Sequence, residues 1–268
     1  MKALRYIVLA FAAIFIAASC VVEDQTMTVE YNVSSVQTKA SEEVNANYVW
    51  YALYDLNGRL MRDYGIKPIV DGNANCPVEM IKGQSYNVVF VAQHYCPAEN
   101  DAMLPSYQIM PSQARVLMPT SAHANSDNYD LFKGMDAVVE YNGQRPEKVV
   151  LQRIVAQVNV LAVQDEWNIA KSGGTLPSAS EMKLTGVPAA YDLLSGTVAD
   201  EKITVNYSKT GLMGDDFLLG RAYCLPSDDI DMTIRLYDGD SRISSLTVHS
   251  LDIEENKKIN ISGMSLIE

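Results

Sequence analysis

EKVVLQRIVAQVNVLAVQ, from Glu147 to Gln164, is the stretch whose reading decides the fold. Its even positions Val150, Ile154, Ala156, Val158, Val160 and Ala162 are apolar, interrupted by Gln152. Its odd positions Val149, Leu151, Val155, Leu161 and Val163 are apolar as well, with Arg153, Gln157 and Asn159 between them. A period of two with many β-branched residues predicts strand rather than helix. Apolar side chains on both faces predict a strand covered on both sides for part of its length. The run is also long enough to leave one sheet and enter another. It therefore reads as the hinge of an all-β chain with two domains.

The flanking sequence repeats the pattern in shorter pieces. Met27, Val29, Tyr31 and Val33 alternate with polar residues, and YVWYALY (Tyr48 to Tyr54) is almost wholly apolar. Asn57-Gly58 predicts a hairpin turn into Arg59 to Tyr64. Pro77 to Ile81 and YNVVFVAQ (Tyr86 to Gln93) follow as strands. Pro97 to Asp130, with four prolines and the polar run Ser121 to Asn128, breaks the pattern and reads as a long loop. Beyond Gln164, Lys171 to Ser180 reads as a linker. Strands are then expected at Met182 to Val187, Ile203 to Tyr207, Phe217 to Leu225, Ile230 to Tyr237, Ile243 to Ile253 and Lys257 to Ile267. In the last of these the apolar parity shifts across Gly263, as a bulge would make it do. Many short strands between turn signals predict sandwiches.

The first residues form an address. Lys2 and Arg5 precede the apolar run Ile7 to Ala18, and the small residues Ala17, Ala18 and Ser19 precede Cys20. This is the pattern of a secretory signal peptide, residues 1–19, too short and wrongly flanked for a spanning helix. At Cys20 it resembles the lipobox of bacterial lipoproteins, which implies that Cys20 becomes the first mature residue and carries the lipid. Ala17 stands where that motif usually has Leu. Glu23 and Asp24 resemble the acidic tether of some surface-exported lipoproteins of Bacteroidales.

No constellation of catalytic residues is visible. His94, His123 and His249 are far apart, and no HExxH, CxxC, GxSxG or P-loop spacing occurs. The Asp groups at 215–216, 228–231 and 238–240 fall at turns, where Asp and Gly suit the backbone, so no metal site is expected. No cofactor is expected either. The formal charge is −12; removing Lys2 and Arg5 with the signal gives −12 − 2 = −14. So acidic a chain is a poor nucleic-acid binder. Cys76 and Cys96 flank what reads as an antiparallel pair, so a disulfide between them is expected, with Cys224 a buried free thiol.

In order, these pieces resemble a Bacteroidales fimbrillin-family lipoprotein. The resemblance rests on the cysteine at 20, on YDLF (Tyr129 to Phe132) leading into VVLQRIVAQVNV (Val149 to Val160), and on NKKINISG (Asn256 to Gly263). It implies two tandem transthyretin-like β-sandwich domains, residues 20–164 and 165–268, and no enzymatic activity. It implies an outer-membrane protein, lipid-anchored through Cys20 and exposed at the cell surface, that meets other fimbrial subunits by strand addition. Stalk subunits of that family are cleaved after an Arg near the N-terminus. Cys20 to Trp50 contains no Arg, which points to an anchor or accessory subunit. The competing reading is a surface lipoprotein that captures glycan or another nutrient, although Trp50 and Trp167 are the sole tryptophans to build a sugar platform. The C-terminal strand is expected to be integral to the second domain. The partner-facing edge is expected in the first, beside the long loop.

Overall fold

The structure, a computed structural model, describes residues 26–35, 45–98, 103–144, 148–212 and 217–266. The chain is an all-β sandwich protein. The strands in order are β1 (Thr26–Ser35), β2 (Tyr48–Tyr54), β3 (Leu60–Pro68), β4 (Asn73–Ile81) and β5 (Tyr86–Gln93). Short strands follow: β6 (Tyr95–Pro97), β7 (Met103–Pro105), β8 (Gln108–Met110), β9 (Arg115–Leu117) and β10 (Ser121–His123). Next come β11 (Leu131–Val138), β12 (Lys148–Arg153), β13 (Ala156–Ala162) and the helix α1 (Gln164–Gly173). The rest are β14 (Ala179–Pro188), β15 (Ala190–Asp192), β16 (Lys202–Gly211), β17 (Leu218–Cys224), β18 (Ser227–Asp238), β19 (Ser241–Ile253) and β20 (Lys258–Met264).

A seven-stranded sheet runs β3-β2-β5-β11-β12-β1-β4. It folds over a core in which Tyr31, Val33, Cys76 and Val78 meet Tyr51, Val88, Phe90 and Phe132. Its two edges come together: Arg62 of β3 is ion-paired with Glu79 of β4, and the Tyr64 hydroxyl accepts from the Glu79 N–H at 2.9 Å. The other face of β2, β5 and β11 (Trp50, Ala52, Tyr54, Val89, Val91, Leu131) packs into a second, larger core. Two buried faces explain why YVWYALY and YNVVFVAQ are nearly unbroken apolar runs.

The second core lies between the five-stranded sheet β10-β16-β14-β18-β19 and the three-stranded sheet β17-β13-β20. The stretch Glu147 to Gln164 divides between the two assemblies. β12 pairs with β11 and in parallel with β1, whereas β13 pairs with β17 and in parallel with β20. Pairing thus changes at Ile154 and Val155. Arg153, just before this change, is buried and bound to a residue distant in sequence. Arg153 makes a two-pronged contact with Asp130, Nε to Oδ1 and Nη2 to Oδ2, each at 2.6 Å. The Arg153 guanidinium also lies 5.4 Å from the Phe132 ring.

Two expectations change. The segment after Pro97 is not a free loop: β8 and β9 form a small sheet with β15, and β10 joins β16 in parallel. Gln93 fastens it, accepting from the Tyr107 N–H at 2.7 Å and donating to the Tyr107 carbonyl at 3.1 Å. The expected linker begins as helix, because α1 continues to Gly173 and closes on Gly174 in the left-handed region.

Candidate partner-binding edge

Cys20 lies outside the described residues. The Cys76–Cys96 disulfide is corrected by the structure: both are free thiols, Cys76 buried and Cys96 exposed. The bridge presumed that β4 and β5 are neighbours, but β4 pairs with β1, and β5 with β2 and β11. Cys76 therefore faces the first core, while Cys96 sits on β6 with its sulfur 3.5 Å from His94 Nδ1. Cys224 is a buried free thiol, and burial pushes its pKa up to about 12. Among the described residues no group of His, Cys, Asp and Glu is arranged to hold a metal ion, and no helix is long and apolar enough to cross a membrane.

Sheet edges are where one β protein can meet another, because each carries unpaired N–H and C=O groups. Most edges here are closed. β3 and β4 are held against each other at this point, which obstructs regular pairing along either. The outer side of β17 is capped: the Asn125 N–H donates to the Arg221 carbonyl at 2.9 Å, and the Arg221 N–H donates to Asn125 Oδ1 at 2.8 Å. β19 is long but bulged. Its register with β18 slips near both ends, and Ser250 has φ +53°. Such irregularities twist an edge away from regular pairing.

β20 is different. Among the described residues no strand pairs with its outer side. The Gln157 N–H donates to the Lys257 carbonyl at 2.9 Å, fixing the phase of the parallel ladder with β13. Alternation then turns the backbone groups of Lys258, Asn260 and Ser262 outward. The bulge expected at Gly263 is present, since Leu161 faces Ser262 but Ala162 faces Met264.

The sandwich is also unfinished on this side. Leu246 and Val248 of β19 and Ile259 and Ile261 of β20 pack against the second core yet stay half-buried. At one end the mouth is bridged by the Ser244 hydroxyl, which donates to the Ser265 carbonyl at 3.1 Å. There it opens into an apolar groove of about 490 Å³ lined by Ile169, Ala170, Ile243 and Leu266. Ile169 is 73% exposed.

β20 is held from its far face by a chain of polar side chains. Asn159 Nδ2 donates to Asn260 Oδ1 at 2.9 Å, Gln157 Nε2 donates to Asn159 Oδ1 at 3.0 Å, and Arg221 Nε reaches the same oxygen at 3.3 Å. Arg221 Nη1 then contacts both oxygens of Asp127 at 2.8 Å, and the Tyr223 hydroxyl donates to Asp127 at 2.8 Å. The sequence showed Gln157 and Asn159 only as interruptions of an apolar run, and nothing local pointed to Asp127 or Asn260.

Residues 20–268 match the model of one protein family, described as a family of unknown function (DUF6562). The chain belongs to that family. No curated protein matches the DUF6562 chain. Among solved structures, it is similar to a fimbrial assembly protein from Parabacteroides distasonis, with 13% identity, 89% of this chain and 92% of that one covered, and a TM-score of 0.47. It is also similar to the tip fimbrial protein Mfa3 from Porphyromonas gingivalis with a C-terminal truncation, with 14% identity, coverage of 83% and 81%, and a TM-score of 0.41.

Proposed function

We propose that this chain is a non-enzymatic cell-surface lipoprotein, a fimbrial anchor or accessory subunit that receives a strand from another subunit along β20. The open β20 edge carries the reading. It joins outward backbone groups to a row of half-buried aliphatic side chains at the mouth of the sandwich. An added strand supplies the missing backbone partners and covers those side chains in one event. Burial of aliphatic surface favours the addition at about 25 cal/mol per Å². Lipidation of Cys20 would hold the protein at the outer membrane. Two tandem domains, residues 20–164 and 165–268, belong to this reading, and strand pairing changes at Ile154–Val155, within the stretch that links them.

Asn260→Pro tests this in cells. Proline removes an N–H that faces outward, which an edge strand tolerates, and leaves the ladder to β13 intact. Cells making this variant at the wild-type level should lose assembled surface filaments and adherence. Asn260→Ala, which keeps the N–H, should retain them. Full assembly and adherence with Asn260→Pro overturns the reading.

A further inference from the structure

We propose that the strand received by β20 is the β20 of a second copy, running antiparallel about a two-fold axis through Asn260. This rests on the strand-addition reading above and adds the identity of the partner.

Register carries the argument. In antiparallel addition, outward-facing residues pair with outward-facing residues. An axis through Asn260 pairs Asn260 with itself and Lys258 with Ser262 of the second copy. All the outward residues Lys258, Asn260 and Ser262 then find partners at once. An axis through Ile259 or Ile261 leaves Ser262 or Lys258 without an outward partner inside the strand. The chosen register also sets Ile259 beside Ile261 of the second copy on the sandwich side, an aliphatic cross-strand pair. Those are two of the half-buried side chains at the mouth.

Charge agrees. Each Lys258 meets a serine rather than the other Lys258, which avoids a like-charge pair. Lys257 falls opposite Gly263, two residues from Ser265, whose hydroxyl donates to Glu166 at 3.0 Å. Asn256, with φ +57°, turns the chain out of line before Glu255, so the acidic pair Glu254 and Glu255 stays outside the paired segment. The Asn260 side chain uses its oxygen toward Asn159, which leaves its amide N–H groups for the copy across the axis. The bulges of β19 keep the opposite layer from competing for the same strand. The product is one continuous sheet, β17-β13-β20 followed by the same strands in reverse.

The test uses the full chain with Cys20→Ser and Cys96→Ser, which removes Cys20 and the exposed thiol at 96. Sedimentation should show a dimer that Asn260→Pro converts to monomer at every concentration. Adding Asn260→Cys should give a disulfide-linked dimer on mild oxidation, because facing residues of a hydrogen-bonded pair sit about 5.5 Å apart between Cα atoms, within disulfide reach. Lys258→Cys alone should not crosslink, whereas an equal mixture of Lys258→Cys and Ser262→Cys chains should. A chain that is monomeric throughout and does not crosslink at position 260 overturns this proposal. So does equal crosslinking at 258 and 260, or a dimer that survives Asn260→Pro. None of these touches the cellular result for strand addition by a different subunit, which the Asn260→Pro filament assay decides.

Discussion

Arg153→Met should destabilise the chain by about 3–5 kcal/mol, the cost of breaking one partner out of a dry ion pair. Arg153 and Asp130 are 0% and 1% exposed in their side chains. The arginine supplies two of the hydrogen bonds to the carboxylate, and the remaining one is the Leu131 N–H at 3.1 Å. Without the arginine, Asp130 is a buried charge with one donor. Burial already pushes the Asp130 pKa above the usual carboxylate range, with the Arg153 contacts opposing it. Removing them raises it further. The sign follows: a carboxylate with a raised folded pKa binds its proton more tightly in the folded state. The variant's stability is therefore greatest below the unfolded value of about 3.9 and is lost as pH rises through the folded pKa. Arg153→Met with Asp130→Leu should recover most of the loss, because an apolar pair of similar volume often matches or exceeds a buried ion pair. The wild-type pair also carries a cost that the double variant lacks, since Arg153 Nη1 is buried with no hydrogen-bond partner among the described residues. Urea unfolding followed by circular dichroism and tryptophan fluorescence, repeated across pH, measures all three proteins. A single variant that loses less than about 1 kcal/mol, or a double variant no better than the single, refutes the account of this pair as dry and mutually dependent.

Thiol labelling of the native Cys20→Ser chain should modify Cys96 alone. Burial pushes the pKa of Cys76 and Cys224 up to about 12, and both should react only after denaturant is added; early labelling of Cys76 would show that β4 opens. Gly186→Ala should cost at least about 2 kcal/mol, because Gly186 sits where β14 slips register against β16, has φ +89°, and a Cβ there would strike the Asp229 carbonyl; unchanged thermal unfolding would refute this close approach. Asp192 is pushed up by partial burial, but the N–H groups of Ser195 and Leu194 outweigh this and hold it below the usual carboxylate range. Its turn therefore adds stability that is present above the unfolded pKa of about 3.9 and is lost as pH falls through the folded value; the gap between wild type and Asp192→Ala should narrow in acid.

Much of the architecture was legible because it depends on local pattern. Alternation of apolar and polar residues marked β13 and β18, and unbroken apolar runs marked β2 and β5 as strands. The parity change at Gly263 marked the bulge. What failed was pairing between strands. Consecutive strands are usually neighbours, which made β4 and β5 look adjacent and suggested the Cys76–Cys96 bridge. β1 instead takes the place beside β4 from far earlier in the chain. The helix was missed for lack of periodicity: QDEWNIAKSG buries only Trp167. The prolines after Pro97 suggested irregular chain, and nothing local shows that Tyr107 and Pro111 offer carbonyls to Gln93 and Tyr54. The open edge was the least legible feature, since it depends on which strands are absent from its side.

The treatment of the edges argues that the β20 opening has a use. The chain closes its other long edges by different means: an ion pair and a tyrosine between β3 and β4, a capping asparagine over β17, and bulges along β19. An edge left open by default would be expected to be short, bulged or strongly charged along its length to prevent aggregation. β20 starts at Lys258 and bulges only beyond Ser262; between them Ile259 and Ile261 face a mouth that is only half closed. The polar chain from Asp127 through Arg221 and Asn159 to Asn260 holds the strand in register from behind. That support lets the front of the strand stay unpaired without fraying, because the ordering cost is met when β20 docks on β13 rather than when a partner arrives. A strand that meets β20 therefore finds a rigid template, and it need order only itself.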